Sequence, residues 1–171
     1  MEHTKFRIVS AETNEDIAIA RNLFTAYVEW LDIDLSYQSF QSELETLPGK
    51  YAAPHGELLV AYGTDYTPLG CVAVRALPDE DSQRQRNLKG YCEMKRLYVC
   101  PGARGMGLGK ALVAAIVQRA KELGYREMLL DTLPFMQGAL QLYTRMGFVQ
   151  THRYYETPLE DTVFLALDLT K

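Results

Sequence analysis

The stretch RGMGLGK, residues 104–110, constrains the fold most, because it places three glycines between a strand pattern and a helix pattern. The preceding residues 91–99, YCEMKRLYV, alternate as a strand does, and residues 108–124 repeat apolar side chains at helical spacing. A helix that begins at glycines offers free backbone N–H groups and the positive end of its dipole, which together favour phosphate binding. Arg104 and Lys110 add positive charge for the same anion. The sequence therefore predicts a phosphate-binding loop at a junction between a strand and a helix.

The rest of the chain predicts a single α/β domain that covers residues 1–171. A length of 171 residues fits one domain. Alternating apolar residues indicate strands, and apolar residues on one helical face indicate helices. The predicted strands cover 5–9, 56–63, 69–77, 91–99, 126–132, 148–155 and 161–169, and the predicted helices cover 16–31, 36–47, 108–124 and 136–147. Residues 78–90 are polar and predict a surface loop. This order indicates a mixed sheet with helices inserted between its strands.

Composition and charge argue against several classes of protein. The net charge of −4 and the small basic clusters argue against nucleic acid as a partner. We expect no membrane partner, because the chain lacks an apolar run that could span a bilayer and its first residues lack an apolar signal-peptide core. Cys71, Cys92 and Cys100 lie in apolar segments, so we expect reduced thiols and a cytoplasmic protein. The three histidines are far apart and none pairs with cysteine at metal-ligand spacing, so we expect no metal site.

Two common phosphate-binding motifs do not fit the glycine stretch. A Walker loop requires serine or threonine after its Gly-Lys pair, whereas Ala111 follows Gly109 and Lys110. Without that hydroxyl group the loop has no ligand for a magnesium ion, so chemistry on a nucleoside triphosphate is not expected. A dinucleotide fingerprint requires glycine at position 110 or 112, where this chain has Lys110 and Leu112. The pattern that remains is Arg-x-x-Gly-x-Gly.

That pattern, from Arg104 to Gly109, resembles the loop that binds the coenzyme A pyrophosphate in the GNAT N-acetyltransferase superfamily. The likeness extends over most of the chain. Residues 93–113, EMKRLYVCPGARGMGLGKALV, resemble the family's central strand, loop and helix, and residues 139–148, ALQLYTRMGF, resemble a later helix that ends in Tyr-x-x-x-Gly-Phe. The resemblance implies a GNAT-like fold, with a mixed, mostly antiparallel central sheet flanked by helices and a splayed strand pair that holds the cofactor. It also implies that this cofactor is acetyl-CoA.

The resemblance implies cofactor-binding roles for the central strand, the glycine stretch and the start of the later helix. The residues concerned are Leu97, Tyr98, Val99, Arg104, Gly105, Met106, Gly107, Leu108, Gly109, Lys110 and Met136. Backbone groups of the strand are expected to hold the pantetheine arm and the thioester carbonyl, although the same residues also fit a plain buried strand. Met136 occupies a position where many members carry an asparagine that contacts the cofactor, so we expect this contact to be weaker here.

Two side chains are implied to carry the chemistry. Tyr143 resembles the general acid that protonates the coenzyme A thiolate, and an ordinary tyrosine pKa of about 10 suits a proton donor. Glu93 lies where several members carry a catalytic glutamate, so we expect it to accept the amine proton, directly or through water. Each residue also has a structural interpretation. Tyr143 could be a core residue at a helix end, and Glu93 could face solvent or pair with Lys95 or Arg96.

The amine acceptor is the part of the site that the sequence specifies least. The resemblance implies that residues 29–37 and 153–161 shape its pocket, where acids and aromatic rings could hold a cation. The candidates are Glu29, Asp32, Asp34, Tyr37, Tyr154, Tyr155 and Glu156, with Glu29 and Asp32 also as alternative bases. The implied function is transfer of an acetyl group to a primary amine of a small molecule or peptide, by a monomer or homodimer. The alternatives are a longer acyl donor, a non-catalytic coenzyme A sensor, and transfer through an acyl group on Cys100.

Overall fold

A seven-stranded sheet forms the centre of the computed structural model, which describes residues 5–77 and 90–171. The strands are β1 (Phe6–Ser10), β2 (Glu57–Gly63), β3 (Pro68–Ala76), β4 (Tyr91–Val99), β5 (Glu127–Thr132), β6 (Val149–Gln150) and β7 (Val163–Asp168). The helices are α1 (Asn14–Leu31), α2 (Phe40–Thr46), α3 (Leu108–Glu122) and α4 (Gln137–Arg145). Short 3₁₀ helices cover Ser36–Gln38, Gly49–Tyr51 and Pro101–Ala103. The loop predicted at 78–90 lies outside the described residues, except for Gly90.

The strands follow the order β1-β2-β3-β4-β5-β7-β6 across the sheet. Only β4 and β5 run parallel, and every other neighbouring pair is antiparallel, so the predicted mixed and mostly antiparallel sheet is confirmed. The pairing of β4 with β5 joins residues 91–93 to residues 127–129. Beyond Glu93 and Leu129 the two strands separate, so the facing edges of both strands are unpaired along their remaining described residues. The predicted splayed strand pair is therefore present, and its gap positions the site.

A bulge turns β4 where it separates from β5. The register between β3 and β4 shifts between Cys71 and Ala73, and Arg96 has a left-handed φ of 60°. A positive φ is uncommon for a residue with a side chain, and it often marks a functional site. The Cys71 thiol donates a hydrogen bond to the Arg96 carbonyl at 3.3 Å, which supports this conformation. Lys95 and Arg96 both donate to the amide oxygen of Gln38, so the bulge brings two consecutive side chains to the same side of the sheet.

Helices cover both faces of the sheet. On one face, α3 contributes Leu112 and Ile116 to a core that includes the apolar residues of β4 and β5. On the opposite face, α1 contributes Ala20 and Phe24 to a second core, as its predicted apolar stripe requires. Thr13 begins α1 with a capping box, in which its side chain accepts from the Asp16 backbone N–H. Among the helices that the structure describes, none is long and apolar enough to cross a membrane.

Two predicted elements differ from the structure. The helix predicted at 36–47 breaks at Ser39, whose φ of 56° is left-handed, and becomes a 3₁₀ helix followed by α2. The strand predicted at 148–155 is reduced to β6, because Tyr154 and Tyr155 leave the sheet and donate hydrogen bonds to carboxylates on β4 and β5. Both differences bring polar side chains toward the gap between the splayed strands.

Candidate active site

A cavity occupies the gap between β4 and β5 and encloses about 710 Å³, including its open mouth. The lining residues are Tyr27, Leu31, Leu35, Tyr37, Gln38, Met94, Lys95, Arg96, Leu97, Leu130, Asp131, Thr132, Leu133, Met136, Ala139, Tyr143 and Leu159. The wall combines leucines and aromatic rings with charged side chains, so it can hold both an apolar group and an ionic one.

The glycine stretch forms the start of α3, beside this cavity. Gly105 and Gly107 have positive φ values of 81° and 78°, and no other part of the described chain lies within 4 Å of where their side chains would stand. Gly107 is the N-cap and provides no side chain to cap the helix, so N–H groups of the first turn have no intrahelical partner. A methyl group on Gly109 would lie 3.5 Å from Leu142 and 3.9 Å from Val99, so this glycine packs between the two side chains. The loop therefore offers an open anion site next to the ends of β4 and α4.

Two cations flank this loop in different ways. Arg104 donates from Nε to the Val99 carbonyl at 3.1 Å, and its guanidinium lies over the Trp30 ring at 4.9 Å from the centroid. These contacts fix Arg104 between α1 and β4, and its remaining N–H groups can still donate to an anion. Lys110 is exposed on the first turn of α3. Both positive charges therefore lie close to the free N–H groups of the helix.

Helix α4 provides one wall of the cavity through Tyr143, Ala139 and Met136. Tyr143 is buried and packs against Phe148, with ring centroids 5.7 Å apart, and burial raises the pKa of its phenol well above the ordinary value of 10.0. Ala139 lies one turn earlier and is small enough to leave space beside Tyr143. The Met136 sulfur accepts a hydrogen bond from the Thr132 hydroxyl at 3.6 Å, so a thioether faces the cavity at this position. The raised pKa of Tyr143 keeps its phenol protonated at neutral pH.

Glu93 lies on β4 just before the strands separate, and it is not among the residues that line the cavity. Its side chain is 1% exposed and accepts hydrogen bonds from Arg75 Nε at 2.8 Å and from the Tyr154 hydroxyl at 2.7 Å. Lys95 Nζ lies 3.9 Å from the same carboxylate. Burial alone would raise the pKa of Glu93, but the charges of Lys95 and Arg75 bring it below its ordinary value. Glu93 is therefore a weak base enclosed by its partners.

Asp131 on β5 is the carboxylate that lines the cavity. The Tyr155 hydroxyl donates a hydrogen bond to Asp131 Oδ2 at 3.0 Å. Burial raises the pKa of Asp131 above its ordinary value, and the negative charge of Glu93 adds to this effect, while Lys95 opposes it. Asp131 is consequently a stronger base than an exposed aspartate. The sequence interpretation missed it, although a charged residue at the end of the apolar run MLL was a signal.

Lys95 brings a positive charge into the same cavity. Its side chain is 8% exposed, and its ammonium group donates to Gln38 Oε1 at 2.8 Å. Burial lowers the pKa of Lys95 to about 8, and the Glu93 carboxylate opposes that shift. The residue therefore carries its charge in most molecules at neutral pH. The sequence interpretation considered Lys95 only as an ion-pair partner of Glu93.

The predicted acceptor residues divide into two groups. Tyr37 lines the cavity, and Tyr154 and Tyr155 approach it through the carboxylates to which they donate. The other candidates are exposed and are not among the lining residues: Glu29, Asp32, Asp34 and Glu156. Asp34 instead accepts hydrogen bonds from the backbone N–H and hydroxyl of Ser36, which shapes the turn before α2. Only the aromatic candidates therefore lie close to the cavity.

Cys100 does not have the properties of an acyl carrier. Its thiol donates to the Pro68 carbonyl at 3.7 Å, and it is not among the lining residues. Burial raises the pKa of the Cys100 thiol, although a backbone hydrogen bond and Arg104 oppose this. A thiol that stays protonated is a poor nucleophile, so direct transfer to an amine fits the geometry better.

Comparison with known proteins identifies the family. Residues 19–148 match the Acetyltransferase (GNAT) family. The chain belongs to this family. An uncharacterized N-acetyltransferase of Schizosaccharomyces pombe is 37% identical over 171 residues, which cover 100% of this chain and 99% of the relative. The crystal structure of a GNAT-family acetyltransferase from Staphylococcus aureus Mu50 matches with a TM-score of 0.74 at 18% identity, over 96% of this chain and 99% of that one. A Salmonella typhimurium protein solved with its cofactor acetyl-CoA matches with a TM-score of 0.66 at 18% identity, over 96% and 94% of the two chains.

A buried ion pair supports the polar wall of the cavity in this GNAT protein. Arg96 donates to both carboxylate oxygens of Glu43 on α2, at 2.8 and 3.1 Å, and both side chains are 3% exposed. Arg96 Nη1 also donates to Gln38 Oε1 at 3.0 Å. Gln38 in turn accepts from Lys95 and donates to the Tyr37 hydroxyl. The ion pair therefore fixes the amide that holds the cavity lysine.

The residues predicted from the GNAT resemblance are thus distributed over one continuous region. Leu97, Met136 and Tyr143 line the cavity, and the glycine stretch lies beside it. The Tyr98 side chain turns instead toward α1, where its ring lies 5.9 Å from that of Tyr27. Met106 and Leu108 pack into the core below α3, so only their backbone can serve an anion.

Proposed function

We propose that this GNAT protein is an N-acetyltransferase that uses acetyl-CoA to acetylate a primary amine. The observation that carries the proposal is the cavity between the splayed strands, which lies beside the glycine stretch and has Asp131 and Tyr143 in its wall. Two relatives support it. The S. pombe protein is named an N-acetyltransferase, and the Salmonella protein was solved with acetyl-CoA as its cofactor.

The residues present fit coenzyme A. The N–H groups at the start of α3, together with Arg104 and Lys110, would hold the pyrophosphate, and Gly107 leaves open space where a side chain would intrude. The unpaired edge of β4 at residues 97–99 would hold the pantetheine arm through backbone groups. When bound, acetyl-CoA supplies the acetyl group, which moves to the amine as a carbon–nitrogen bond forms and the carbon–sulfur bond breaks.

Asp131 is the proposed base that receives the amine proton. An amine with an ordinary pKa of about 10.4 is almost fully protonated at pH 7, and removing that proton takes roughly 4–5 kcal/mol. Burial raises the pKa of Asp131, which reduces the difference between its pKa and that of the amine. Glu93, the base predicted from the sequence, fits less well because its pKa is lowered and it does not line the cavity. We therefore propose direct contact for Asp131 and an electrostatic role for Glu93, whose charge raises the pKa of Asp131.

Tyr143 is the proposed general acid. Burial keeps its phenol protonated at neutral pH, the state that a proton donor requires, and the same rise in pKa makes it a weaker acid than an exposed tyrosine. It would donate its proton to the sulfur that leaves. The ammonium form of the amine loses two protons in all. The first passes to Asp131 before the nitrogen attacks. Tyr143 protonates the departing thiolate, and the second nitrogen proton then restores the Tyr143 phenol, so the net release is one proton, from Asp131 to solvent. The two groups lie on the separate elements β5 and α4, which lets them act on opposite ends of the reacting group.

The test is thiol release from acetyl-CoA in the presence of primary amines, for the wild type and for Tyr143→Phe. We expect Tyr143→Phe to keep its affinity for coenzyme A and to lose about 10²–10⁴-fold in kcat, the usual contribution of a general acid. Tyr91→Phe is the matched control, because Tyr91 lies on β4 with 54% of its surface exposed and is not among the lining residues. This control should turn over at the wild-type rate.

Three other outcomes would change the proposal. Coenzyme A binding without thiol release from any acyl donor would favour the sensor. Faster thiol release from a longer acyl-CoA than from acetyl-CoA would identify the longer acyl-CoA as the donor. Full turnover by Tyr143→Phe, under conditions where chemistry limits the rate, would leave Tyr143 as a core residue.

A further inference from the structure

Three charged residues line the cavity, and two of them, Lys95 and Asp131, carry opposite charges without forming an ion pair with each other. The third, Arg96, pairs with Glu43. Lys95 and Asp131 line the cavity from the two separated strands, β4 and β5. The carboxylate that pairs with Lys95 is that of Glu93, at 3.9 Å. A cavity with fixed charges of both signs suits a ligand that itself carries both signs.

Lys95 keeps hydrogen-bonding capacity for an anion. Its ammonium group has three donors, and the Gln38 amide oxygen takes one of them at 2.8 Å. That oxygen also accepts from Arg96 at 3.0 Å, so it is held in place and is fully used. With a pKa lowered by burial to about 8, Lys95 is still mostly charged at neutral pH. The cavity therefore presents an oriented cation with N–H groups to spare.

Asp131 keeps complementary capacity for a cation. The Tyr155 hydroxyl donates one hydrogen bond to Asp131 Oδ2 at 3.0 Å. An ionised carboxylate has about four lone-pair sites, so further hydrogen bonds can be accepted. A simple amine could bind Asp131, but the like charge of Lys95 in the same cavity would remain without a partner on the ligand. A simple carboxylate could bind Lys95, but it would leave the Asp131 carboxylate without a cation on the ligand. A ligand with an ammonium group and a nearby carboxylate satisfies both walls at once.

We propose that the acceptor is an amino carboxylate whose ammonium group binds Asp131 and whose carboxylate binds Lys95. The proposal rests on the acetyltransferase function argued above. Leu31, Leu35 and Leu159 line the same cavity and suit an apolar remainder. In the transfer, the nitrogen loses two protons, the first of them to Asp131, and gains the acetyl group, while the carboxylate stays bound and unchanged.

The first experiment compares three acceptors with the same side chain: leucine, leucinamide and isopentylamine. Thiol release is measured at saturating acetyl-CoA, and we expect kcat/KM for leucine to exceed that of the other two at least tenfold. Leucinamide is a strict comparison, because its amine has a lower pKa than that of leucine. It would react faster if the carboxylate contributed nothing.

The second experiment removes the proposed carboxylate ligand. Lys95→Met keeps most of the side-chain volume, and we expect the KM for leucine to rise at least tenfold while turnover of isopentylamine persists. That persisting turnover shows that the variant is folded and binds its donor. Lys95→Arg should recover part of the preference for leucine. Lys121→Met, on the exposed side of α3, is the matched control and should leave all three acceptors unchanged.

The outcomes separate this proposal from the one on which it rests. If isopentylamine or leucinamide matches leucine in the wild type, the amino carboxylate is excluded and the acetyltransferase function stands. An unchanged preference for leucine in Lys95→Met would also overturn the assignment. If a protein that binds coenzyme A releases no thiol with any acceptor, both proposals fail. The wild-type comparison decides even if Lys95→Met does not fold.

Discussion

Glu93 and Asp131 illustrate how neighbours set the basicity of a carboxylate. The two residues lie on neighbouring strands, and each accepts a hydrogen bond from a tyrosine hydroxyl. Glu93 also has Arg75 and Lys95 beside it, and these charges bring its pKa down despite burial. At Asp131, the positive charge of Lys95 lowers the pKa by less than burial raises it, so the pKa of Asp131 rises. Opposite shifts in neighbouring carboxylates separate a fixed charge from a working base.

We predict that Asp131→Asn lowers kcat/KM at pH 7 by about 10²–10⁴-fold and removes the acid limb of the pH profile. Asp131 accepts a proton only when it is ionised, so wild-type activity should fall as the pH drops through its raised pKa. The charged groups that set this pKa are Lys95, Glu93 and Arg96 on β4, with Tyr155 as hydrogen-bond donor. At high pH the amine loses its proton unaided, so the variant should partly recover. The measurement is kcat/KM from pH 5 to 10.

Glu93→Gln is the control for this experiment. This substitution removes the negative charge of Glu93, which raises the pKa of Asp131. The acid limb of the kcat/KM profile should therefore move to lower pH without disappearing. Equal losses in the two variants would mean that both carboxylates are needed for proton removal. An Asp131→Asn profile that coincides with the wild type would instead exclude Asp131 as the base.

At the scale of elements, α3 is the helix whose start is suited to an anion. Its N-cap is a glycine with positive φ, its first turn lacks an acidic residue, and its last turn carries Arg119 and Lys121, which complement the helix dipole. The helix is 15 residues long and buries its stripe against the sheet, so the N–H groups at its start are held rigidly. Such a start binds phosphate without reorganising.

We predict that Gly107→Val weakens coenzyme A binding at least tenfold. A side chain at φ 78° is strained, by about 1–2 kcal/mol for a residue in this region, and it would project into the space left for the ligand. Gly102→Val is the matched control, because Gly102 also has open space around it but lies in the preceding 3₁₀ helix, without a positive φ. Calorimetry gives the affinities, and thermal unfolding verifies that both variants fold. Unchanged affinity in a folded Gly107→Val protein would remove this loop from the cofactor site.

Elements with local signals were predictable from the sequence. α3 has glycine at its start, a regular apolar stripe and Gly124 at its end, so its bounds and its buried face follow from spacing alone. The break at Ser39 has no comparable local signal. It accompanies contacts of Gln38 and Glu43 with β4, which are distant in sequence. Tertiary contacts therefore overrode a helical pattern at this point.

At the scale of the whole molecule, the sequence located the glycine stretch and the Tyr143 segment beside the cavity, but it did not locate the polar wall. The glycine stretch and the Tyr143 segment are contiguous motifs. The polar wall combines Gln38, Lys95 and Asp131 from three separated segments, and Tyr155 from a fourth donates to Asp131. The bulge in β4 lies where Lys95 meets Gln38. No spacing rule predicts that juxtaposition, and the pKa of each group depends on it. Glu93 was identified from its position in a motif, but its enclosure by partners was not visible in the sequence.

The ion pair between Arg96 and Glu43 joins the helical layer to the sheet. Burial alone would raise the pKa of Glu43, but hydrogen bonds from Arg96 and the charge of Lys50 lower it to about 2, against an ordinary value of 4.5. The Tyr51 hydroxyl also donates to Glu43, at 2.9 Å. Removing one partner of such a pair leaves the other charged, buried and uncompensated, which destabilises a protein by about 3–5 kcal/mol. The same pair holds Gln38 and, through it, Lys95.

We predict that Glu43→Gln lowers the free energy of unfolding by about 3–5 kcal/mol at pH 7, a large part of the roughly 5–15 kcal/mol typical of a domain. The pKa of Glu43 is lowered in the folded state, so its stabilising effect is fully present above its ordinary pKa of 4.5 and is lost as the pH falls toward about 2. The difference between wild type and variant should therefore be large at pH 7 and shrink progressively below pH 4.5. Urea unfolding at pH 7, 4 and 3 measures it, with Glu45→Gln as the control, since Glu45 is exposed on the same helix and bonds only to Gln41 among the described residues. A difference that stays constant with pH would show that shape and packing, rather than the charge of Glu43, hold α2 against the sheet.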